Sequence, residues 1–265
     1  MRLCSIASGS SGNCIYVGSD ATHLLVDTGI SGKRMVAGVE SLGIKPSELD
    51  GILITHEHSD HISGLGIMAR KFEIPIYTTR ETYDAIMQDK KIGLLPEGLF
   101  QEVKYDEKFT LKDMEIYPVK ISHDARKPVA FRVSSEKKKV GILTDLGNFN
   151  DYIVECMSDL DAILLEANHD VNMLQVGPYP YYLKQRILGD RGHLSNELCG
   201  RLLDRILHNG IKHVVLGHLS KENNMPELAY ETVRLEIDMS DSPFKAKDFH
   251  LSVAKRNEVS EVIEI

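Results

Sequence analysis

The chain has 265 residues, 42% hydrophobic and 26% charged, the balance of a soluble globular protein long enough to bury a substantial core. A formal net charge of −8 excludes a surface that attracts nucleic acid everywhere, and leaves room only for a local positive cleft, such as one charged by bound metal. Cys4, Cys14, Cys156 and Cys199 stand far apart with no C-x-x-C pair, which excludes a zinc ribbon or disulfide framework and fits a cytoplasmic setting.

The N-terminus lacks a basic stretch followed by a long apolar one, so no signal peptide is expected. No apolar run reaches the roughly 18 residues of a membrane span, so no membrane association is expected either. Short strands are predicted over 3–7, 13–18 and 22–27, separated by Gly12-Asn13 and Ser19-Asp20. A helix over 31–42 starts at Ser31 and stops at Gly43. The apolar strand 51–55 feeds directly into His56, and 62–72 has helical spacing at Ile62, Leu65, Met68, Ala69 and Phe72. Strand 74–79 and a helix over 80–89 follow.

From about 100 to 145 the pattern is strand-rich, with strands at 114–121, 129–135 and 139–145 and a turn at 134–138. Helices near 147–157, 178–188 and 195–208 then interleave with strands 162–167 and 213–218. A helix over 226–237 precedes terminal strands that include 249–254. No repeat or low-complexity linker interrupts this order, which predicts one domain over 1–265, with stacked sheets and helices outside them.

The stretch Thr55-His56-Glu57-His58-Ser59-Asp60-His61 holds three histidines and two carboxylates. His56 and His58 lie two apart at a strand end, where alternate side chains point the same way. Two neutral imidazoles so aimed can chelate one divalent ion. Asp60 and His61 supply an oxygen and a nitrogen for a second ion as the chain turns into the next helix. The remaining ligands must come from elsewhere. His123, Asp145 and His218 each follow an apolar run, at the strand ends where α/β folds place their sites.

This pattern resembles the metallo-β-lactamase superfamily in the order and spacing of its motifs over essentially the whole chain. The resemblance implies a four-layer αββα sandwich of two mixed β-sheets flanked by helices. It assigns His56, His58 and His123 to one metal and Asp60, His61 and His218 to the other, with Asp145 bridging and Asp27 orienting the histidine loop. The segments 5–17, 122–125, 143–147, 165–170, 191–196 and 217–224 look like the YycJ/WalJ (VicX) branch, and the repeated GHLS also resembles ribonuclease Z. The first likeness implies 5′-to-3′ DNA exonuclease activity; the second implies that His193 assists phosphodiester cleavage. The 22 positions between His123 and Asp145 leave no room for ribonuclease Z's long tRNA-gripping arm. The 73 between Asp145 and His218 are too few for the extra domain of the β-CASP nucleases.

Two divalent ions set against Asp60, Asp145 and a bridging hydroxide leave a formal charge of about +1, which attracts phosphate. Two such ions about 3.5–4 Å apart can activate water for in-line attack on a phosphodiester. His193 is the candidate acid for the leaving oxygen, with helix capping as its other reading. Asp60 is expected to be essential for cleavage. Glu166, at a strand end, is a candidate partner for a histidine, and His169 is expected beside the second metal or holding a ligand. Ser10, Ser11 and Asn13 sit in a turn that either offers N–H groups to phosphate or simply closes a hairpin. Arg126, Lys127 and Arg191 are candidate contacts to DNA. Tyr179, Tyr181 and Tyr182 are expected in the core rather than stacked on bases. The ligand types suit Zn²⁺ first, with Mn²⁺ or Fe²⁺ also accommodated. Two other readings stay open, a hydrolase of a small ester, thioester or cyclic phosphodiester, and a non-catalytic, metal-stabilised regulatory protein.

Overall fold

A computed structural model describes residues 1–265. Its strands in chain order are β1 (Arg2–Ala7), β2 (Cys14–Gly18), β3 (His23–Val26), β4 (Gly51–Leu53), β5 (Ile76–Thr78), β6 (Phe100–Glu102) and β7 (Phe109–Leu111). They continue as β8 (Met114–Lys120), β9 (Val129–Ser135), β10 (Lys138–Leu143), β11 (Ala162–Glu166), β12 (His213–Gly217), β13 (His250–Val253) and β14 (Ile263–Glu264). The helices are α1 (Gly32–Ser41), α2 (Ser59–Ile62), α3 (Leu65–Phe72), α4 (Arg80–Gln88), α5 (Asp151–Cys156), α6 (Val171–Val176), α7 (Tyr181–Leu188), α8 (Asn196–Ile206) and α9 (Pro226–Asp238). None is long and apolar enough to cross a membrane.

The strands form two mixed seven-stranded sheets, β14-β1-β2-β3-β4-β5-β6 and β13-β12-β11-β10-β9-β8-β7. This is the two-sheet α/β class that the resemblance implies. The chain divides into two compact units, Met1–Lys120 with Ala125–Lys137 and Lys255–Ile265, and Ile121–Asp124 with Lys138–Ala254.

In the first unit, β3 to β6 pair in parallel and β1 to β3 antiparallel. Strand β8 alternates buried and outward residues at Met114, Glu115 and Ile116, as an antiparallel strand with one wet face should. The apolar faces of α1 (Met35, Val39) and α3 (Leu65, Met68, Ala69) are buried in one cluster with Ile6, Leu25, Ile52 and Ile54. In the second unit, β10 to β13 are parallel, and the unbroken run Ala162–Glu166 of β11 is buried throughout. Such a run is what a parallel strand covered on both faces requires.

Local departures from the expected elements have physical causes. The helix expected over 62–72 is two helices, α2 and α3, parted at Ser63-Gly64. There the Gly64 N–H donates to the Thr28 carbonyl (2.8 Å), and a Cβ on Gly64 would lie 2.2 Å from the Ile30 oxygen. The helix expected from 147 begins only at Asp151, because Asn150 caps it by accepting from the Ile153 N–H at 3.2 Å. Helix α6 was not anticipated; Asp170 caps it through the Met173 N–H (2.7 Å).

Candidate metal centre

The histidine loop of the first unit is built around Asp27, a fully buried residue directly after β3. Its carboxylate accepts from the Thr55 N–H (2.9 Å), from the Thr55 hydroxyl (2.9 Å) and from His61 Nδ1 (2.7 Å). An ionised carboxylate only accepts, so Nδ1 carries the His61 proton and the ring's lone pair is at Nε2. The Thr55 hydroxyl spends its hydrogen on Asp27 and therefore accepts from His56 Nδ1 (3.0 Å), which likewise puts the His56 lone pair at Nε2. That nitrogen lies 3.0 Å from His58 Nδ1, and His61 Nε2 lies 3.4 Å from Asp60 Oδ2. Gly29 packs so tightly under this loop that a Cβ would stand 1.6 Å from the Asp60 carbonyl oxygen.

The second unit repeats the device around Glu166, the last residue of β11 and fully buried. Its Oε1 accepts from His193 Nδ1 and from His218 Nδ1, both at 2.8 Å. Its Oε2 accepts from the Leu146 N–H (2.8 Å) and the Leu194 N–H (3.2 Å). Burial alone would raise this carboxyl, but the His193 and His218 imidazoles outweigh it and hold its pKa below the ordinary value. Burial pulls His193 down, and the carboxylates of Glu166 and Asp145 outweigh that in turn, raising the ring above a usual imidazole. His123 directs Nδ1 to the Gly192 carbonyl (3.0 Å), which places its lone pair at Nε2 too.

These tautomers gather acceptors against acceptors. His123 Nε2 and His218 Nε2 stand 3.6 and 3.5 Å from the same oxygen, Asp145 Oδ1. Lone pairs that face one another at such spacing repel, unless a cation lies between them. Ligands about 2.1 Å from a tetrahedral ion stand about 3.4 Å apart, so the donor set fits a divalent metal. Asp145, Glu166, His193 and His218 form a cluster whose donor atoms lie within 4.8 Å of one another. Within it Glu166 acts as the anchor, since its oxygens already meet four donors.

The backbone is specialised at the same places. Asp27, Asp145 and His218 all have left-handed φ, at 61°, 59° and 54°, each just past a strand. Non-glycine residues adopt that region at a cost that surrounding structure must hold in place, and such sites cluster where function demands a fixed side chain.

Ser10 and Ser11 are exposed. Asn13 is buried: its Oδ1 accepts from the Gly9 N–H (3.1 Å), and its Nδ2 lies 3.2 Å from His61 Nε2. Arg126 donates its backbone N–H to Glu57 (2.8 Å), Lys127 pairs with Glu81 (2.9 Å), and the Arg191 guanidinium donates to the His123 carbonyl at 3.1 and 3.2 Å. His169 is 1% exposed and neither ring nitrogen has a hydrogen-bond partner. Tyr181 and Tyr182 correct the expectation of core packing: both are about three-quarters exposed (76% and 75%), since α7 buries only Ile187.

Thr55, Asn168 and Gly192 support the site without being among the residues the sequence singles out. Asn168 Nδ2 donates to the His218 carbonyl (2.9 Å) and holds that residue's unusual backbone. Thr55, the residue just before His56, had a usable signal in its position. Gly192 acts through a carbonyl, which no side chain announces.

Residues 22–219 match the family model of the beta-lactamase superfamily domain, so the chain belongs to the metallo-β-lactamase superfamily. It is 42% identical over 236 residues to the exodeoxyribonuclease WalJ of Streptococcus pneumoniae, across 89% of this chain and 88% of the relative. It is 39% identical over 236 residues to the exodeoxyribonuclease YycJ of Bacillus anthracis, across 86% of each. Among solved structures, Zn²⁺-bound PqqB from Methylobacterium extorquens shares the fold over the full length of both chains, with a TM-score of 0.72 at 14% identity.

Proposed function

We propose that this chain is a metal-dependent exodeoxyribonuclease of the cytoplasm, one that removes nucleotides from the 5′ end of DNA. The observation that carries the nuclease part of this reading is the 42% identity, sustained over nearly nine-tenths of both chains, to a relative named as an exodeoxyribonuclease. The reading treats residues 1–265 as a single catalytic domain. His56, His58 and His123 would hold one divalent ion and Asp60, His61 and His218 the other, with Asp145 available to both; zinc is the expected ion and manganese or iron the alternatives. Ions held there supply charge neutralisation for the phosphodiester and a water acidic enough to attack it.

The rest falls to the side chains. Asp27 fixes the tautomer of His61 and, through Thr55, that of His56; Glu166 fixes that of His218 and the Gly192 carbonyl that of His123, so these four rings present Nε2 without rearrangement. His193 takes no part in ligation in this reading. With Nδ1 committed to Glu166, its Nε2–H is the proton that meets the leaving oxygen. When a 5′-terminal nucleotide is released as its monophosphate, that oxygen is the 3′-oxygen of the departing nucleotide. Arg126, Lys127 and Arg191, with the turn of Ser10, Ser11 and Asn13, are the proposed contacts along the DNA backbone.

The test is incubation with linear and with covalently closed circular DNA, in Mn²⁺ or Zn²⁺, beside the Asp60→Asn variant. The proposal expects loss of the linear form alone and no loss with the variant. Degradation of neither form under either metal would contradict it.

A further inference from the structure

A cavity of about 380 Å³ opens beside His193, within the second unit, and nothing in the metal chemistry uses it. His169, Val171, Asn172 and Leu188 line it, as does Glu197 of the first turn of α8. The volume is at the lower end of small-ligand pockets and suits a single nucleotide, not a duplex.

Two buried polar groups mark it as a site. His169 is 1% exposed with both ring nitrogens unpartnered, and Glu197 Oε2 is a second buried atom without a hydrogen-bond partner. A polar atom buried without a partner costs about 1–3 kcal/mol, and both residues line this cavity, from which a ligand edge could supply the missing partners. Burial holds His169 neutral, with a pKa lowered to about 4, so it offers one N–H donor and one acceptor rather than a charge. Glu197 offers an acceptor. The one guanidinium in the lining, Arg201, is engaged by Glu236 at 3.3 Å, and His193 is held by Glu166. A carboxylate, a neutral imidazole and the apolar Val171 and Leu188 repel or ignore phosphate. They match a flat heterocycle edged with N–H donors.

We propose that this cavity receives the nucleobase of the departing nucleotide, with His169 and Glu197 hydrogen-bonding the base edge. The identity of the occupant rests on the exonuclease reading: His193 protonates the 3′-oxygen of the departing nucleotide, so that nucleotide's base is the group nearest this cavity. An acceptor carboxylate prefers an amino-bearing edge, as when Glu or Asp accepts from the N4 amino group of cytosine. Guanine, adenine and cytosine therefore fit better than thymine.

The test is calorimetric titration of the metal-loaded protein with dGMP, dAMP, dCMP, dTMP and base-free 2-deoxyribose 5-phosphate. The amino-bearing nucleotides should bind at least about tenfold tighter than the base-free sugar phosphate, with dTMP between them. The double variant His169→Phe, Glu197→Leu, which keeps a ring but removes both imidazole nitrogens and the carboxylate, should bring all five ligands to within about twofold while leaving the base-free affinity unchanged. Leu188→Trp places bulk into the cavity from a lining position that is 40% exposed, and so tests the same point if the double variant fails to fold. Equal affinity with and without a base, no binding by any mononucleotide, or discrimination that survives both variants would overturn the proposal. Base discrimination by a protein that degrades no DNA would uphold the pocket and sink the nuclease reading. DNA degradation without base discrimination would do the reverse.

Discussion

His193 Nδ1 and His218 Nδ1 each stand 2.8 Å from one oxygen of Glu166, so a single buried carboxylate sets the proton positions of two rings. In the proposed mechanism His218 ligates metal and His193 delivers a proton. Both depend on Nδ1 being the committed nitrogen, and Glu166 is the common cause. Because its other oxygen accepts two backbone N–H groups, the carboxylate itself has no freedom to turn.

Glu166→Gln leaves shape nearly unchanged but brings an amide N–H against donors. Activity should fall at least about 10–100-fold, the usual loss when a group supporting a metal ligand is removed. Thermal stability should drop by about 1–3 kcal/mol, as buried donors lose their acceptor. Steady-state kinetics and a melting curve check both; a variant with full activity would contradict the assigned role.

Asp27→Asn should act on the other half of the ligand set. An amide can still accept from Thr55, but it no longer compels the His61 proton onto Nδ1. Metal content measured by elemental analysis should fall, and added metal should restore part of the activity. A variant that keeps its full complement of metal would show that the Asp27–His61 contact of 2.7 Å is only structural.

The side chains proposed as ligands were legible in the sequence as candidates because strands impose a period of two and end at predictable places. His56 and His58 follow a buried strand, and His218 follows β12 directly. What orients them was less legible, because the partners are remote along the chain. His61 finds Asp27 across 34 positions, His218 finds Glu166 across 52, and His123 finds a backbone carbonyl across 69. Every residue has a carbonyl, so the role of Gly192 left no mark in composition or spacing. Helix α2 and strands β6 and β7 are three or four residues long, too short for periodicity to register.

His193→Gln should lower kcat by about 10²–10⁴, the range for loss of a general acid, with metal content and DNA binding retained. The deficit should shrink on a substrate whose leaving oxygen needs no proton, such as a nitrophenyl phosphodiester. Equal deficits on both substrates would assign His193 to the metal site instead.

His169 gives stability a pH dependence of definite sign. Its pKa is near 4 when folded and near 6.5 when unfolded, so the unfolded chain binds more protons between those limits. Its contribution is therefore complete above pH 6.5 and is lost as pH falls toward 4, by an amount on the order of 3 kcal/mol. Melting temperatures over that range should decline more steeply for the native protein than for His169→Phe; parallel curves would refute the assignment.

The most direct measurement of the central claim is digestion of one DNA duplex labelled at either end, with Mn²⁺ or Zn²⁺, beside Asp60→Asn. The account predicts early release of the 5′ label as a mononucleotide, late release of the 3′ label, and neither with the variant. Release of the 3′ label first would contradict the direction. Retention of both labels by a protein shown to hold its metal would contradict the nuclease itself.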